Sequence, residues 1–208
     1  MSIKHRKYDN YDEYLKHQAR KLDIGIEKKI KKFMPEYFSK NVQSFEARIG
    51  KFKKYIKGDE VLCLGARGGA EVAAFRNLGS KDAIGIDINP GKDNKYVIKG
   101  DFHNMEFEDS RFDVIYCNSI DHAWDLRKLS KEIDRVMKDD SFLLLEIDHL
   151  INKDQADRDD WIDRDSKYES ILCGNLKDIK DQFREFKFVK KFISANPSFL
   201  AVVFKKGE

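Results

Sequence analysis

The spacing of apolar residues predicts that the chain begins with helices. Over residues 8–34 they recur every three or four positions, which places them on one face of a helix. Pro35 is expected to stop or kink that helix, and a second apolar stripe predicts another helix over residues 41–56. Residues 1–57 are therefore predicted to form an N-terminal helical extension that could serve as a substrate lid.

After residue 58 the pattern changes to short apolar runs that alternate with helical stretches. Strands are predicted over residues 60–64, 83–87, 95–99, 112–117 and 141–147, and helices over residues 70–77, 126–137 and 175–186. Two further strand-like runs, 188–194 and 199–204, flank Asn196-Pro197 and predict a terminal hairpin with an antiparallel edge. Alternating strands and helices are typical of an α/β fold with a Rossmann-like, doubly wound sheet, which we assign to residues 58–208.

Length and composition favour one packed domain. Of 208 residues, 41% are hydrophobic and 12% are aromatic, which argues against a disordered chain. No apolar run approaches the roughly 20 residues that span a bilayer, and residues 1–14 lack the hydrophobic segment of a secretion signal. The cysteines at positions 63, 117 and 173 have no metal-binding spacing. We therefore expect a cytoplasmic protein with no membrane partner, and neither a disulfide scaffold nor a zinc module.

The charge is unevenly distributed along the chain. Residues 1–60 carry 16 basic and 9 acidic side chains, whereas residues 101–166 carry 9 basic and 19 acidic ones. The basic segment could contact the phosphates of a nucleic acid, and the acidic segment could line a site that repels phosphates. The alternative is that both sets of charges simply solvate the surfaces of helices and loops.

A glycine-rich loop follows the first predicted strand and reads Leu64-Gly65-Ala66-Arg67-Gly68-Gly69-Ala70-Glu71. Its glycines permit a tight turn and close approach of the backbone to a ligand, and the helix behind it directs backbone N–H groups toward that ligand. The loop is not GxGxxG, because the middle glycine is absent, and it is not a Walker loop, because no Gly-Lys-Ser/Thr follows. Taken alone, it could be a purely structural turn.

Acidic and apolar residues follow the next two predicted strands. Asp87 could accept hydrogen bonds from both hydroxyls of a ribose, and the neighbouring Ile88 could lie on the face of an adenine. Asp101 could accept the amino group of that adenine, and Phe102 could cover its ring. Each of these residues could instead belong to a surface turn or cap a helix, so it is their order along the chain that favours a nucleoside site.

Together these segments resemble a class I S-adenosylmethionine-dependent methyltransferase. The resemblance covers residues 58–148 and rests on Val61–Gly69, Gly85-Ile86-Asp87, Gly100-Asp101 and Phe112–Tyr116. It implies a seven-stranded sheet whose last strand is antiparallel, with S-adenosyl-L-methionine as cofactor. The cofactor contacts that it implies include Gly65, Ala66, Arg67, Gly69, Asn118 and Ser119.

The chain departs from this family at two positions. The family usually has an acidic residue where this chain has Cys63, and glycine where it has Arg67. Adenosylmethionine carries an ammonium and a carboxylate, so Glu71 could bind the ammonium and Arg67 the carboxylate. Alternatively, Glu71 only complements the helix dipole and pairs with Arg67.

The segment after the strand at 112–117 is implied by the resemblance to face the transferred methyl group and its acceptor. Asp121 and His122 are suited to removing a proton from a hydroxyl, and His149 is a second candidate base. A divalent cation held by Asp121, Asp148 and His149 is an alternative that their spacing does not require, so no metal is predicted. The Asn/Asp-Pro-Pro-aromatic signature of adenine and glutamine N-methyltransferases is absent.

The predicted function is methylation of a hydroxyl on a sugar, a glycan or another small molecule, and the chain is loosely similar to methyltransferases of polysaccharide-modifying systems. One alternative is an RNA methyltransferase that uses the basic N-terminal segment, and another is a non-catalytic subunit that kept the fold. Residues 151–168 around Trp161 could form a lid. A second lid, or only helix packing, could come from Tyr8, Tyr11, Tyr14, His17 and Gln18.

Overall fold

A seven-stranded sheet runs through the centre of the chain in a computed structural model, which describes residues 3–20, 26–148, 170–173, 175–193 and 199–207, without the side chains of 26–35, 148, 172, 193 and 199. The strands are β1 (Lys4–His5), β2 (Glu60–Leu64), β3 (Asp82–Asp87), β4 (Val97–Lys99), β5 (Phe112–Cys117), β6 (Met137–Asp148), β7 (Ile171–Leu172), β8 (Lys187–Ile193) and β9 (Phe199–Lys205). The helices are α1 (Tyr11–Ala19), α2 (Ile26–Ile49), α3 (Ala70–Asn77), α4 (Leu126–Val136) and α5 (Leu176–Gln182), with 3-10 turns at Gly50–Tyr55 and Ile120–His122.

The strand order of the large sheet is β4-β3-β2-β5-β6-β9-β8. Strands β2 to β6 run parallel to one another, whereas β9 is antiparallel to β6 on one side and to β8 on the other. This confirms the predicted Rossmann-like, doubly wound α/β fold with seven strands and an antiparallel last strand. The prediction that the terminal hairpin makes one edge of the sheet antiparallel is also confirmed: β8 is the outermost strand, and β9 lies between it and β6.

The composition of the two hairpin strands explains their order. In β9, Val202 and Val203 point to opposite faces of the sheet and are both fully buried, as an interior strand requires. In β8, by contrast, Lys187, Lys190 and Lys191 are exposed. Charged side chains suit a strand at the edge of a sheet, where they oppose pairing with another chain.

The parallel strands bring three loops together at one edge of the sheet. Leu64 at the end of β2 is in register with Ile86 of β3 and with Cys117 of β5. The loops that follow these strands therefore emerge side by side at the carboxyl edge. This edge is where ligands bind in open parallel sheets, and it carries the predicted site residues.

Helices cover both faces of the sheet. Successive side chains of a strand point to opposite faces, so both faces carry apolar side chains that the helices bury. Val61 and Cys63 of β2 lie in the apolar layer formed with α2 and α3. Leu62 and Leu64 lie in the second apolar layer, which includes residues of α4 and α5. All four side chains are essentially inaccessible to solvent, as expected for the central strand of a parallel sheet.

Helix α2 continues through Pro35, so of the two predicted effects of this proline, a stop or a kink, the stop is wrong. A proline removes one hydrogen bond from a helix and leaves the bonds of the flanking turns. The second half of α2 is anchored by Val42 and Ile49, which are buried against the sheet and α3. No helix in the part of the chain that the structure describes is long and apolar enough to cross a membrane.

The N-terminal residues 3–20 dock onto the carboxyl edge of the sheet. Strand β1 pairs antiparallel with β7, and the backbone N–H of Arg6 donates to the carbonyl of Ser170 at 2.8 Å. At the other end of this segment, the amide Nδ2 of Asn89, just after β3, donates to the carbonyl of Ala19 at 3.0 Å. Residues 3–20 therefore connect the loop after β3 with Ser170 and β7. The two-residue strands β1 and β7 were not predicted.

Candidate active site

The loop after β2 needs glycine at two positions for steric reasons. Gly65 has φ of +67° and Gly69 has φ of +79°, a region that disfavours side chains. A Cβ at Gly65 would collide with the hydroxyl of Ser119, and a Cβ at Gly69 would collide with the Cβ of Tyr96. The backbone of the loop therefore packs directly against neighbouring segments, and its glycines are more than a flexible turn.

Arg67 stands where the resembling family has glycine, and its backbone explains that preference. Its φ of +37° lies in the left-handed region, where a side chain carries a cost of about 1 kcal/mol or more. Two hydrogen bonds hold this part of the loop: Ala66 N–H donates to the carbonyl of Ile86 at 3.0 Å, and Gly69 N–H donates to the carbonyl of Ala66 at 2.6 Å. The loop thus keeps a glycine-like conformation while presenting an arginine.

Asp87, at the end of β3, ties this loop to the loop that follows β3. Its Oδ2 accepts the backbone N–H of Arg67 at 3.0 Å, and its Oδ1 accepts that of Asn89 at 2.8 Å. A carboxylate has about four acceptor sites, so two remain for a ligand such as a ribose. Asp87 and the adjacent Ile88 are both half-buried, which leaves each of them a partly accessible surface.

Glu71 is a buried carboxyl group in the first turn of α3. It is only 6% exposed, and burial raises its pKa to about 8, while the positive charges of Arg67 and Arg48 oppose this shift. The pKa of the Cys63 thiol is raised by burial and then by the charge of Glu71. Glu71 therefore places an acidic group beside Cys63, the position at which the family usually has an acidic residue.

A second polar group lies on the same face of the sheet and was missed by the sequence analysis. Arg48 of α2 forms an ion pair with Glu146 of β6 at 2.5 Å, and Glu146 is buried. The hydroxyl of the fully buried Tyr116 donates to the same carboxylate. The sequence did contain a signal for this ion pair, namely an acidic residue inside the strongly apolar run of β6. A buried charge requires a partner, so Glu146 indicates that a basic side chain lies beside it.

Asp101 accepts hydrogen bonds from two other parts of the site. Its Oδ1 accepts the backbone N–H of His103 at 2.9 Å, and its Oδ2 accepts the hydroxyl of Tyr11 from helix α1 at 2.5 Å. Burial alone would raise the pKa of Asp101, but the hydrogen bonds from His103 and Tyr11 hold it below its usual value. Phe102 is buried, with its ring close to Gly65, so the predicted adenine-binding residues lie beside the cofactor loop.

Asn118 and Ser119 follow β5, and the structure gives Ser119 a clear local role. Its hydroxyl donates to the carbonyl of Leu64 at 3.0 Å. Ser119 is buried, whereas Asn118 is half-buried. Ser119 therefore joins the end of β2 to the end of β5, and Asn118 has the more accessible side chain of the two.

The two predicted catalytic residues, Asp121 and His122, lie together on the 3-10 turn after β5. The Asp121 Oδ2 and His122 Nε2 atoms are 3.6 Å apart, and the two side chains are 13% and 15% exposed. The carbonyl of Asp121 accepts the backbone N–H of Ser170 at 2.7 Å. His149 lies outside the described residues, as does the side chain of Asp148, and no group of three metal-ligating side chains occurs within residues 3–20, 26–148, 170–173, 175–193 and 199–207.

Helix α1 and Tyr8, three residues before it, place aromatic side chains against the loop after β5. The rings of Tyr8, Tyr11 and Tyr14 lie with their centroids 5.5, 5.8 and 5.6 Å from that of Trp124. The hydroxyl of Tyr8 is also 2.8 Å from the hydroxyl of Ser170. The predicted lid residues Tyr8, Tyr11 and Tyr14 thus contact Trp124, two residues after the turn that carries Asp121. Trp161 and residues 151–168 lie outside the described residues.

The arrangement fits S-adenosylmethionine. The absence of side chains at Gly65 and Gly69 lets the glycine-rich loop pack closely against Ser119 and Tyr96. Asp87 retains acceptor capacity for ribose hydroxyls, and the buried carboxyl of Glu71 has a raised pKa. A positively charged ammonium placed beside Glu71 would stabilise its ionised form.

Comparisons with known proteins agree with this geometry. Residues 62–145 match the family model described as a methyltransferase domain, while a comparison with curated protein sequences finds no match. Among solved structures, a protein from Pyrococcus horikoshii is 18% identical, covers 79% of this chain and 92% of its own, and has a TM-score of 0.62.

Two methyltransferase structures are similar to the same extent. An S-adenosylmethionine-dependent methyltransferase from Thermotoga maritima is 17% identical, covers 85% of this chain and 98% of its own, and has a TM-score of 0.61. One from Archaeoglobus fulgidus is 17% identical, with coverages of 79% and 94% and a TM-score of 0.60. At these identities the structures establish the fold. With its methyltransferase domain at residues 62–145 on the sheet that carries this site, the chain is an S-adenosylmethionine-dependent methyltransferase of the class I fold.

Proposed function

We propose that the protein transfers a methyl group from S-adenosylmethionine to a hydroxyl of a sugar, a glycan or another small molecule. The observation that carries this proposal is the pair of Asp121 and His122 on the turn after β5. The two side chains are adjacent and mostly buried. Ser119, at the start of the same turn, contacts the cofactor loop at Gly65, so the pair belongs to the same site as that loop.

Residues of four loops would hold the cofactor. The backbone of Gly65, Ala66 and Gly69 would lie against it, Asp87 would accept the ribose hydroxyls, and Asp101 would accept the adenine amino group. Ile88 and Phe102 would flank the adenine, Glu71 would pair with the ammonium and Arg67 with the carboxylate. When bound, the cofactor supplies a methyl group on a sulfonium. Asn118 and Ser119 would lie at the methyl end.

The proposed role of His122 is that of a general base. The imidazole of His122 would accept the hydroxyl proton of the acceptor, whose oxygen would take in its place the methyl group that the cofactor supplies. The resulting imidazolium is stabilised by the Asp121 carboxylate, whose Oδ2 is 3.6 Å from Nε2 in the resting structure. His149 stays a second candidate for this role, and no metal ion is invoked.

A small acceptor is favoured by the contacts of residues 3–20, which we propose to be a lid. Hydrogen bonds connect this segment to Asn89 after β3, to Asp101 after β4 and to Ser170 before β7. An acceptor must therefore fit between this segment and the sheet. A large RNA could reach the site only if the whole of residues 3–20 moved away from the sheet.

Three exposed lysines at the end of the basic segment do not support the RNA alternative. Lys53, Lys54 and Lys57 are exposed, but they immediately precede β2. In a parallel sheet the start and the end of a strand lie at opposite edges. These lysines are therefore on the side away from Gly65 and His122, and phosphates bound by them would lie far from the transferred methyl group.

Transfer of a radiolabelled methyl group tests the proposal. Purified protein is incubated with methyl-labelled S-adenosylmethionine and with separate sets of hydroxylated sugars and small alcohols, small amines, and RNA. We expect label in the hydroxyl set. Label in only the amines or only the RNA would overturn the proposed acceptor class.

Substitution of the base tests the mechanism with the acceptor found in that screen. His122→Ala should lower kcat by about 10²–10⁴-fold, the usual contribution of a general base, and should remove the acidic limb of the pH–rate profile. His5→Ala, at an exposed position of β1, is the matched control and should behave as the wild type. A His122→Ala enzyme within a few-fold of the wild type would transfer the role to His149.

A further inference from the structure

Beside the turn that carries the proposed base lies a buried histidine that the proposed function leaves unused. His103 has no solvent exposure. Its Nε2 atom accepts the backbone N–H of Trp124 at 3.1 Å and that of Asp125 at 3.3 Å. Two N–H donors that converge on one nitrogen require a lone pair there, so the ring proton is on Nδ1.

The protonated nitrogen of His103 faces the nucleoside end of the site. Nδ1 is 3.2 Å from Oδ1 of Asp101, and the backbone N–H of His103 donates to the same oxygen at 2.9 Å. The Tyr11 hydroxyl, 3.1 Å from Nδ1, donates to the other oxygen of Asp101. The carboxylate thus orients the imidazole, and the imidazole holds the backbone at Trp124.

The turn with the proposed base is consequently held at both of its ends. On the side of β5, Ser119 donates to the carbonyl of Leu64 at 3.0 Å. On the side of α4, His103 accepts the N–H groups of Trp124 and Asp125. His122 lies between the two anchors. Fixing the backbone on both sides restricts where its imidazole can stand, and a general base depends on such placement.

We propose that His103 is a positioning residue that couples the adenine end of the cofactor site to the turn bearing the base. The proposal rests on the proposed cofactor contact at Asp101 and on His122 as the base. An adenine amino group that donates to Asp101 restrains its carboxylate, and through His103 this restraint reaches Trp124 and the turn. Cofactor binding thereby fixes the turn before the acceptor is methylated.

Tryptophan fluorescence tests this coupling without an acceptor. The chain has two tryptophans, so Trp161→Phe leaves Trp124 as the single emitter. In this background, S-adenosylhomocysteine should change the emission with the Kd that calorimetry reports. Adding His103→Leu should leave binding detectable by calorimetry but abolish the emission change. His103→Gln, whose side-chain oxygen can accept the two N–H groups, should restore most of it.

Tyr11→Phe is the matched control, because the aromatic cluster around Trp124 could itself transmit a signal. This substitution removes the hydroxyl that bonds Asp101 and leaves His103 in place. We expect the emission change to persist. If Tyr11→Phe abolishes the change while His103→Leu retains it, helix α1 transmits the signal and the proposal is overturned.

A second measurement covers the case in which His103→Leu does not fold. In protein labelled with ¹⁵N-histidine, His103 should appear as the tautomer with its proton on Nδ1 and none on Nε2. The opposite tautomer would overturn the proposal, because Nε2 could not then accept the N–H groups. Both experiments need only cofactor product or labelled protein. A failure of the proposed hydroxyl chemistry is therefore distinguishable from a failure of this coupling.

Discussion

The hydroxyl of Ser119 occupies the space in which a side chain at Gly65 would stand. The same hydroxyl donates to the carbonyl of Leu64 at 3.0 Å. The turn that carries the proposed base and the loop that holds the cofactor are therefore in direct contact. A change at either residue should affect both parts of the site.

Gly65→Ala should destabilise the protein and weaken cofactor binding. The added methyl group collides with Ser119, and the φ of +67° disfavours a side chain, which together cost about 1–3 kcal/mol. Chemical denaturation and calorimetry with S-adenosylhomocysteine measure the two effects. Gly68→Ala is the matched control, because a Cβ there meets nothing within 4 Å, and it should be nearly neutral.

Arg48→Met should lower the free energy of unfolding by about 3 kcal/mol, because it leaves a buried carboxylate without its charged partner. Glu146 is only 8% exposed in its side chain, and Arg48 lies 2.5 Å from it. Denaturant titration measures the loss. Lys177→Met removes an equally short but largely exposed ion pair with Asp181, and should change stability by less than about 0.5 kcal/mol. Equal effects of the two substitutions would contradict this account.

Glu71 should make the cofactor-free protein less stable as the pH rises. Its pKa of about 8 in the folded protein lies above the unfolded value of about 4.3, so between these values the folded state binds the additional proton. The free energy of unfolding therefore falls as the pH rises from the unfolded pKa to the folded pKa. A pKa difference of this size corresponds to a total fall of about a few kcal/mol. In Glu71→Gln this part of the pH dependence should disappear from thermal unfolding curves. A profile that keeps its slope would mean that Glu71 is ionised.

Cofactor binding should release a proton from Glu71 near neutral pH. At pH 7 a group with a pKa of about 8 is mostly protonated, and a bound ammonium beside it favours the ionised form. Calorimetry with S-adenosylhomocysteine in buffers of different ionisation enthalpy should show up to about one proton released. Glu71→Gln should bind more weakly and release none. Unchanged affinity in this variant would reduce Glu71 to a charge at the start of α3.

Asp87→Ala should weaken cofactor binding by about 10- to 100-fold, the effect expected when hydrogen bonds to a charged acceptor are lost. The substitution also leaves the backbone N–H groups of Arg67 and Asn89 without their acceptor, so unfolding should require less denaturant. Asp82→Ala, at the exposed start of the same strand, is the control for removal of an acidic residue. Wild-type affinity in Asp87→Ala would argue against the ribose contact.

Local sequence determined several elements of the fold and the order of the candidate site residues along the chain. The strand at Glu60–Leu64 and the helix at Ala70–Asn77 were predicted with the bounds observed. A short, continuous apolar run between turn residues is typical of a strand that is buried on both faces, and this pattern limits where the strand can begin and end. The positions of Gly65, Asp87 and Asp101 followed from motif order. Each of these inferences uses residues that are close together along the chain.

Contacts between residues distant along the chain decided the rest. The proton on Glu71, the pairing of Arg48 with Glu146, and the bond of Tyr11 to Asp101 depend on how segments about 20 to 100 residues apart are packed. Burial changes a group's ionisation only once its neighbours surround it, so no local pattern could predict these states. The position of β9 inside the sheet also depends on contacts between distant segments. The order of the strands is decided by which strands pair with an apolar strand on its two sides.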